Sequence, residues 1–101
     1  MTKVYAERDG NRYTVHAQGH ATGSPEVCAA ISGILYALAG YVRNATDGST
    51  IAYDERLESG SVHLHFCGGP GAAGAFDMAV IGLKQIEAKY PDFLLMEYRE
   101  E

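Results

Sequence analysis

The stretch "VYAERDGNRYTVHAQ", residues 4–18, reads as two runs of strand composition hinged on Asp9-Gly10-Asn11. Asp, Gly and Asn tolerate the backbone a tight hairpin turn requires, and flanking apolar alternation makes the signal strong. After the hinge Tyr13, Val15 and Ala17 alternate with Arg12, Thr14, His16 and Gln18, the period of a strand with one buried face. The pattern predicts a hairpin from strands 2–8 and 12–18.

Outward from that hairpin the pattern changes period. Ser24-Pro25-Glu26 is a helix start: Ser24 can cap, Pro25 suits the first helical position, and Glu26 favours the positive end of the helix dipole. Val27, Ile31, Ile34, Leu35, Leu38 and Val42 then recur at helical spacing. A second stripe of small residues, Ala29, Gly33, Ala37 and Gly40, offers a flat face for close packing. "NATDGS" ends this helix. Strands are predicted over 49–58 and 61–67, joined at Ser59-Gly60. "CGGPGAAG", residues 67–74, reads as a flexible connection, able to line a cleft. A second helix is predicted over 75–90, with Phe76, Val80, Leu83, Ile86 and Tyr90 on one face and Pro91 as its stop. A last strand covers 92–99. The order ββαββαβ, with tight turns between strand pairs, predicts an α+β domain: a mostly antiparallel sheet with two helices packed on one face.

A chain of 101 residues makes one domain, and 47% hydrophobic content supplies a core. Its formal charge of −5 argues against generic nucleic-acid binding, which needs a basic stripe, and leaves a basic peptide open as a partner. Two cysteines do not make a disulfide framework, so both are expected to be reduced thiols in a cytoplasmic protein. The N-terminus lacks the apolar core of a signal peptide, and no run of about 18 apolar residues is seen, so no membrane association is expected.

Chemistry concentrates in "GHATGSPEVCAAIS", residues 19–32. Cys28 falls near the start of the first helix, where unpaired N–H groups and the dipole favour an anion. His20 follows a strand and faces the same loop. It can accept the thiol proton and return it to a leaving amine. The N–H of Cys28, or one from the loop, is a candidate for binding an oxyanion. The same residues also admit a plain structural reading, with Cys28 a small buried hydrophobe and His20 a solvated strand end. Residues 21–24 are expected to bury almost nothing and to be the most mobile part of the chain.

"GHA" followed by "VCAAIS" resembles the signature of the ribosomal-processing cysteine protease family (Prp, also called YsxB-like). "SGSVHLHF" at 59–66 and "GLKQIEAKYPDFLLMEY" at 82–98 resemble later segments of that family, so the similarity spans nearly the whole chain, residues 1–101, as a single Prp-like domain. The resemblance implies a Cys–His dyad, with His20 as base and Cys28 as nucleophile, and a supporting role for Ser32, which orients Cys28 or a water. It implies a homodimer, no cofactor, and a protein substrate: a ribosomal large-subunit protein whose N-terminal extension is removed. The family loop between His and Cys is usually longer and carries an Asp three residues before the Cys, where this chain has Pro25. That departure opens two alternatives, a phage structural precursor as substrate and a non-catalytic module that binds a protein terminus on the same fold.

Other constellations are weaker. His63, His65 and Cys67 share one face of a strand, but alternate residues lie roughly 6.5–7 Å apart, so the row is poorly shaped for one ion and no metal is expected. "GGPGAAG" lacks the Lys-Ser/Thr of a phosphate loop. Asp47, Asp54 and Asp77 are possible third catalytic groups, but none sits in a motif and each reads equally as a solvated charge. Tyr5, Tyr13, Tyr36, Tyr41 and Tyr53 read as core rims or interface aromatics.

Overall fold

The computed structural model describes residues 1–46 and 48–101. Its elements are β1 (Thr2–Asp9), β2 (Arg12–Gln18), α1 (Pro25–Asn44), β3 (Ile51–Glu58), β4 (Ser61–Cys67), α2 (Pro70–Lys89) and β5 (Leu94–Glu100). The five strands form one sheet in the order β3-β4-β2-β1-β5. Neighbours are antiparallel except β5, which runs parallel to β1, so the sheet is mixed although mostly antiparallel.

Register follows from the alternation. Val15 pairs with Ala6 on one side and Leu64 on the other, Ala17 with Val4 and Val62, and Tyr13 with Phe66. All eight are buried. A slip of one residue would turn this whole row to water, which is why the register is firmly set. Both helices cover that face. α1 contributes Val27, Ile31, Leu35, Leu38, Ala39 and Val42, and α2 contributes Ala72, Phe76, Ala79, Val80 and Leu83. Tyr13, read from sequence as a rim aromatic, is a core residue, stacked on Phe66 at 5.0 Å and tilted on Phe76 at 4.8 Å between centroids.

An 18-residue window of α1 has a mean hydropathy of 1.4, enough on length and composition to cross a membrane, contrary to the reading that no such run exists. Here its apolar face is spent on the sheet, as a core helix requires. The stripe Ala29, Gly33 and Ala37 lies on the exposed side of α1.

The largest boundary difference from the sequence reading is at the start of α2, while β3 and β5 each begin two residues later than predicted. The glycine-rich stretch taken as a flexible connection is the first part of α2, which begins at Pro70. Pro70 at the helix start, preceded by Gly69, is the proline placement that helix N-termini favour, and Ala72 is wholly buried. Glycines at 71 and 74 do not stop the helix because tertiary packing outweighs their propensity cost of about 1 kcal/mol each.

Candidate active site

β2 ends at Gln18 and the chain turns sharply to reach α1. Gly19 has φ +92°, and a Cβ there would fall 2.5 Å from the Met1 carbonyl oxygen. Only glycine passes under the N-terminal strand at that point. The Gly19 N–H donates to the Gly60 carbonyl at 2.9 Å, tying this corner to the turn between β3 and β4. That tie continues the β2–β4 ladder, which ends with Gln18 opposite Ser61.

His20 follows. Its imidazole lies over Gly60: a Cβ on residue 60 would be 2.5 Å from Nε2 and 3.0 Å from Cε1. The Gly60 φ of +73° is the left-handed conformation of the turn. Glycine is required there twice over, for the turn and for the ring.

The loop to α1 closes in two short steps. Thr22 N–H donates to the His20 carbonyl and Ser24 N–H to the Ala21 carbonyl, at 2.9 and 3.0 Å. Ala21 is buried in the core, so the expectation that residues 21–24 bury almost nothing fails at Ala21. Its methyl group anchors the middle of the loop. Ser24 then caps α1, its Oγ accepting from the Val27 N–H at 3.4 Å, with Pro25 in the first turn. Cys28, half-buried, sits at the end of that turn. Helical side chains lean toward the N-terminus, so its thiol tilts over the first turn.

His20 and Cys28 line one cleft of about 120 Å³. Ser32, one turn beyond Cys28, lines it too, as do Tyr36 from α1 and Glu58, Ser59, Gly60 and Ser61 from the β3–β4 hairpin. All three site residues read from sequence therefore meet in one place. The hairpin and Tyr36 were missed. The only local signal for the hairpin was its Ser-Gly-Ser turn, whose neighbour is decided by β2–β4 pairing across more than 40 positions of sequence.

The N–H of Cys28 donates to the Ser24 carbonyl at 3.1 Å. It is the first helical bond of α1, so this N–H does not serve as the oxyanion donor suggested from sequence. The extra carboxylates lie elsewhere. Asp77 on α2 faces Arg8 at 3.5 Å, and Asp54 on β3 lies 3.7 Å from Nδ1 of His63. Neither lines the cleft. Asp47 falls outside the described residues. The glycine-rich stretch 68–74 does not line the cleft either.

The opposite face of the sheet carries the histidine row. His63 and His65 alternate there with buried Val62, Leu64 and Phe66, as the strand period requires. Cys67 takes a hydrogen bond from the Tyr53 hydroxyl at 3.1 Å. Residue His16, which spacing along one strand cannot bring in, pairs with His63 across β2–β4.

The sequence model of Peptidase_Prp, described as cysteine protease Prp, matches residues 1–95. None of the curated proteins matches the sequence significantly. Among solved structures, the essential ribosomal processing protease Prp from S. aureus with a covalently linked product peptide is similar at TM-score 0.73 and 20% identity, over 97% of this chain and 99% of that one. The same S. aureus protease with a substrate peptide is similar at TM-score 0.72 and 18% identity, over 97% and 99%. SMU.848 from Streptococcus mutans is similar at TM-score 0.75 and 18% identity, over 100% and 96%.

Proposed function

Since the chain belongs to the cysteine protease Prp family, we propose that it is a cytoplasmic endopeptidase working through a Cys28–His20 dyad, and that it removes an N-terminal extension from a ribosomal large-subunit protein. The observation that carries the reading is the shared cleft: one side chain from the end of β2 and one from the start of α1 open on the same space. The S. aureus relative described as a ribosomal processing protease, with peptide bound, supports the substrate class.

The chemistry follows from the two groups. His20 takes the proton from Cys28, and the thiolate attacks the scissile carbonyl carbon. The tetrahedral intermediate collapses as the imidazolium gives its proton to the leaving amine. Water, deprotonated by His20, then hydrolyses the thioester and frees Cys28. The oxyanion falls to an N–H of the loop, because that of Cys28 is engaged with Ser24. Ser32 lies one turn below the thiol and orients it or the attacking water.

A peptide spanning the extension of the ribosomal protein is the assay substrate, with phage structural precursors as the second. Cleavage by the wild type and none by Cys28→Ala supports the proposal. Peptide binding without cleavage, unchanged in Cys28→Ala, would replace it with a non-catalytic terminus-binding module.

A further inference from the structure

The open face of the sheet carries a group of histidines that the cleft chemistry does not use. His16 from β2 and His63 and His65 from β4 place their ligand nitrogens within 4.8 Å of one another. His16 Nε2 faces His65 Nε2 at 2.8 Å. The His16 and His63 rings stack with centroids 3.6 Å apart.

Register, not chance contact, brings them together. His16 is directly opposite His63 and Thr14 directly opposite His65. Side chains on one face of paired strands are near neighbours, and diagonal pairs stay within reach of long or aromatic side chains. The row His63-x-His65 is too spread to hold an ion alone. A third imidazole from the neighbouring strand supplies a convergence that the single-strand row lacks.

The outer contacts agree on which nitrogen is presented. The Asp54 carboxylate lies 3.7 Å from Nδ1 of His63, and the Thr14 hydroxyl lies 3.5 Å from Nδ1 of His65. Partners on Nδ1 leave Nε2 for an ion, the usual division of labour in histidine metal sites.

We propose that His16, His63 and His65 form a binding site for a divalent d-block cation, with zinc as the physiological class, that clips β2 to β4 on the face away from the cleft. Imidazole ligands suit zinc, copper and nickel rather than calcium or magnesium. Zinc–nitrogen bonds of roughly 2.0–2.1 Å set neighbouring nitrogens a little over 3 Å apart in a tetrahedron. The His16–His65 pair opens slightly to reach that spacing. His63, nearly parallel to His16 at 12°, turns its ring to aim at the same point. All three side chains are half-buried at the surface, so these rotations displace no core. The fourth position is left to water or an incoming donor.

The experiment is calorimetric titration of zinc chloride into the full chain carrying Cys28→Ser, which removes capture by the cleft thiol. One equivalent is expected to bind. His16→Gln, His63→Gln and His65→Gln should each weaken binding by more than about 100-fold and Asp54→Asn by about 10-fold, since outer partners of this kind are worth roughly 10–100-fold. Cys67→Ala should bind as before. Copper(II) bound in the same stoichiometry should show nitrogen hyperfine structure in its paramagnetic resonance spectrum, lost in His65→Gln. Zinc should raise the melting temperature of the parent and not of the histidine variants, each of which must melt cooperatively. Absence of binding at sub-millimolar zinc and copper, or binding that survives loss of His16, overturns the site. Neither result bears on cleavage.

Discussion

Replacing Gly60 by alanine tests the placement of the proposed base, His20, without substituting it. The new Cβ would fall 2.5 Å from His20 Nε2, 3.0 Å from Cε1 and 3.2 Å from Cδ2. Carbon contacts settle at about 3.5–4.0 Å, so the imidazole must retreat by about 1 Å. His20 is exposed and its ring is the free end of the side chain, so the retreat itself costs little stability. The stability cost comes from the backbone: φ is +73°, and an alanine there costs ~1–2 kcal/mol. For a domain of this size each kcal/mol lowers Tm by roughly 4–8 °C. The catalytic cost is separate. A misplacement of about 1 Å can cost about 100-fold, so kcat/KM for peptide cleavage should fall about that much in protein that is still folded. Gly10→Ala is the control. Gly10 has φ +61° with nothing within 4 Å of a new Cβ, so Tm should fall by a similar amount while cleavage stays as in the parent. Iodoacetamide labelling of Cys28 should slow in Gly60→Ala and not in Gly10→Ala, which gives a readout independent of the substrate. If Gly60→Ala lowers Tm yet cleaves and labels like the parent, the ring over Gly60 is not the working position of the base.

Removing the proposed dyad groups should give sharper losses. Cys28→Ala should abolish cleavage and leave the fold intact, and His20→Ala should cut the rate by roughly 10²–10⁴, the range for a positioned general base, both read in the peptide assay. Cys67 is bonded to Tyr53 at 3.1 Å on the far face, so Cys67→Ala should cleave normally and Cys28 should label first in the parent. The exposed small-residue stripe of α1, with the family resemblance, makes a two-fold homodimer the expected assembly; light scattering that finds only monomer at working concentration would refute it. Burial, then His63 and His65, depress the pKa of His16. The fold therefore binds fewer protons there than the unfolded chain, whose histidine pKa is about 6.5. Stability from the neutral ring is complete above that value and is lost as pH falls through it to the folded pKa. Metal-free protein should unfold at lower urea in mild acid than at neutral pH, and His16→Gln should shrink that difference.

What was legible in the sequence divides by the range of the cause. The turn at Asp9-Gly10-Asn11 and the alternation from Tyr13 to Ala17 are local, and β1 and β2 follow from them almost residue for residue. The start of α1 is equally local, because Ser24, Pro25 and Glu26 act on the first turn itself. His20 and Cys28 were therefore visible as a pair, each being set within a few residues of an element end. The start of α2 was not. Glycines at 68, 69, 71 and 74 argue locally for a loop, and the helix prevails because Ala72 and Phe76 are buried in the core, a fact the stretch does not contain. The same limit explains both sets of missed neighbours. Gly60 reaches His20, and His16 reaches His63, only through the β2–β4 ladder. One ladder thus serves the two faces: at its end, beside the Gln18–Ser61 pair, it supports the base of the cleft, and at its middle it assembles the histidines on the other side. A change at the middle that loosened β2 against β4 would be felt at the cleft through the Gly19–Gly60 bond at 2.9 Å.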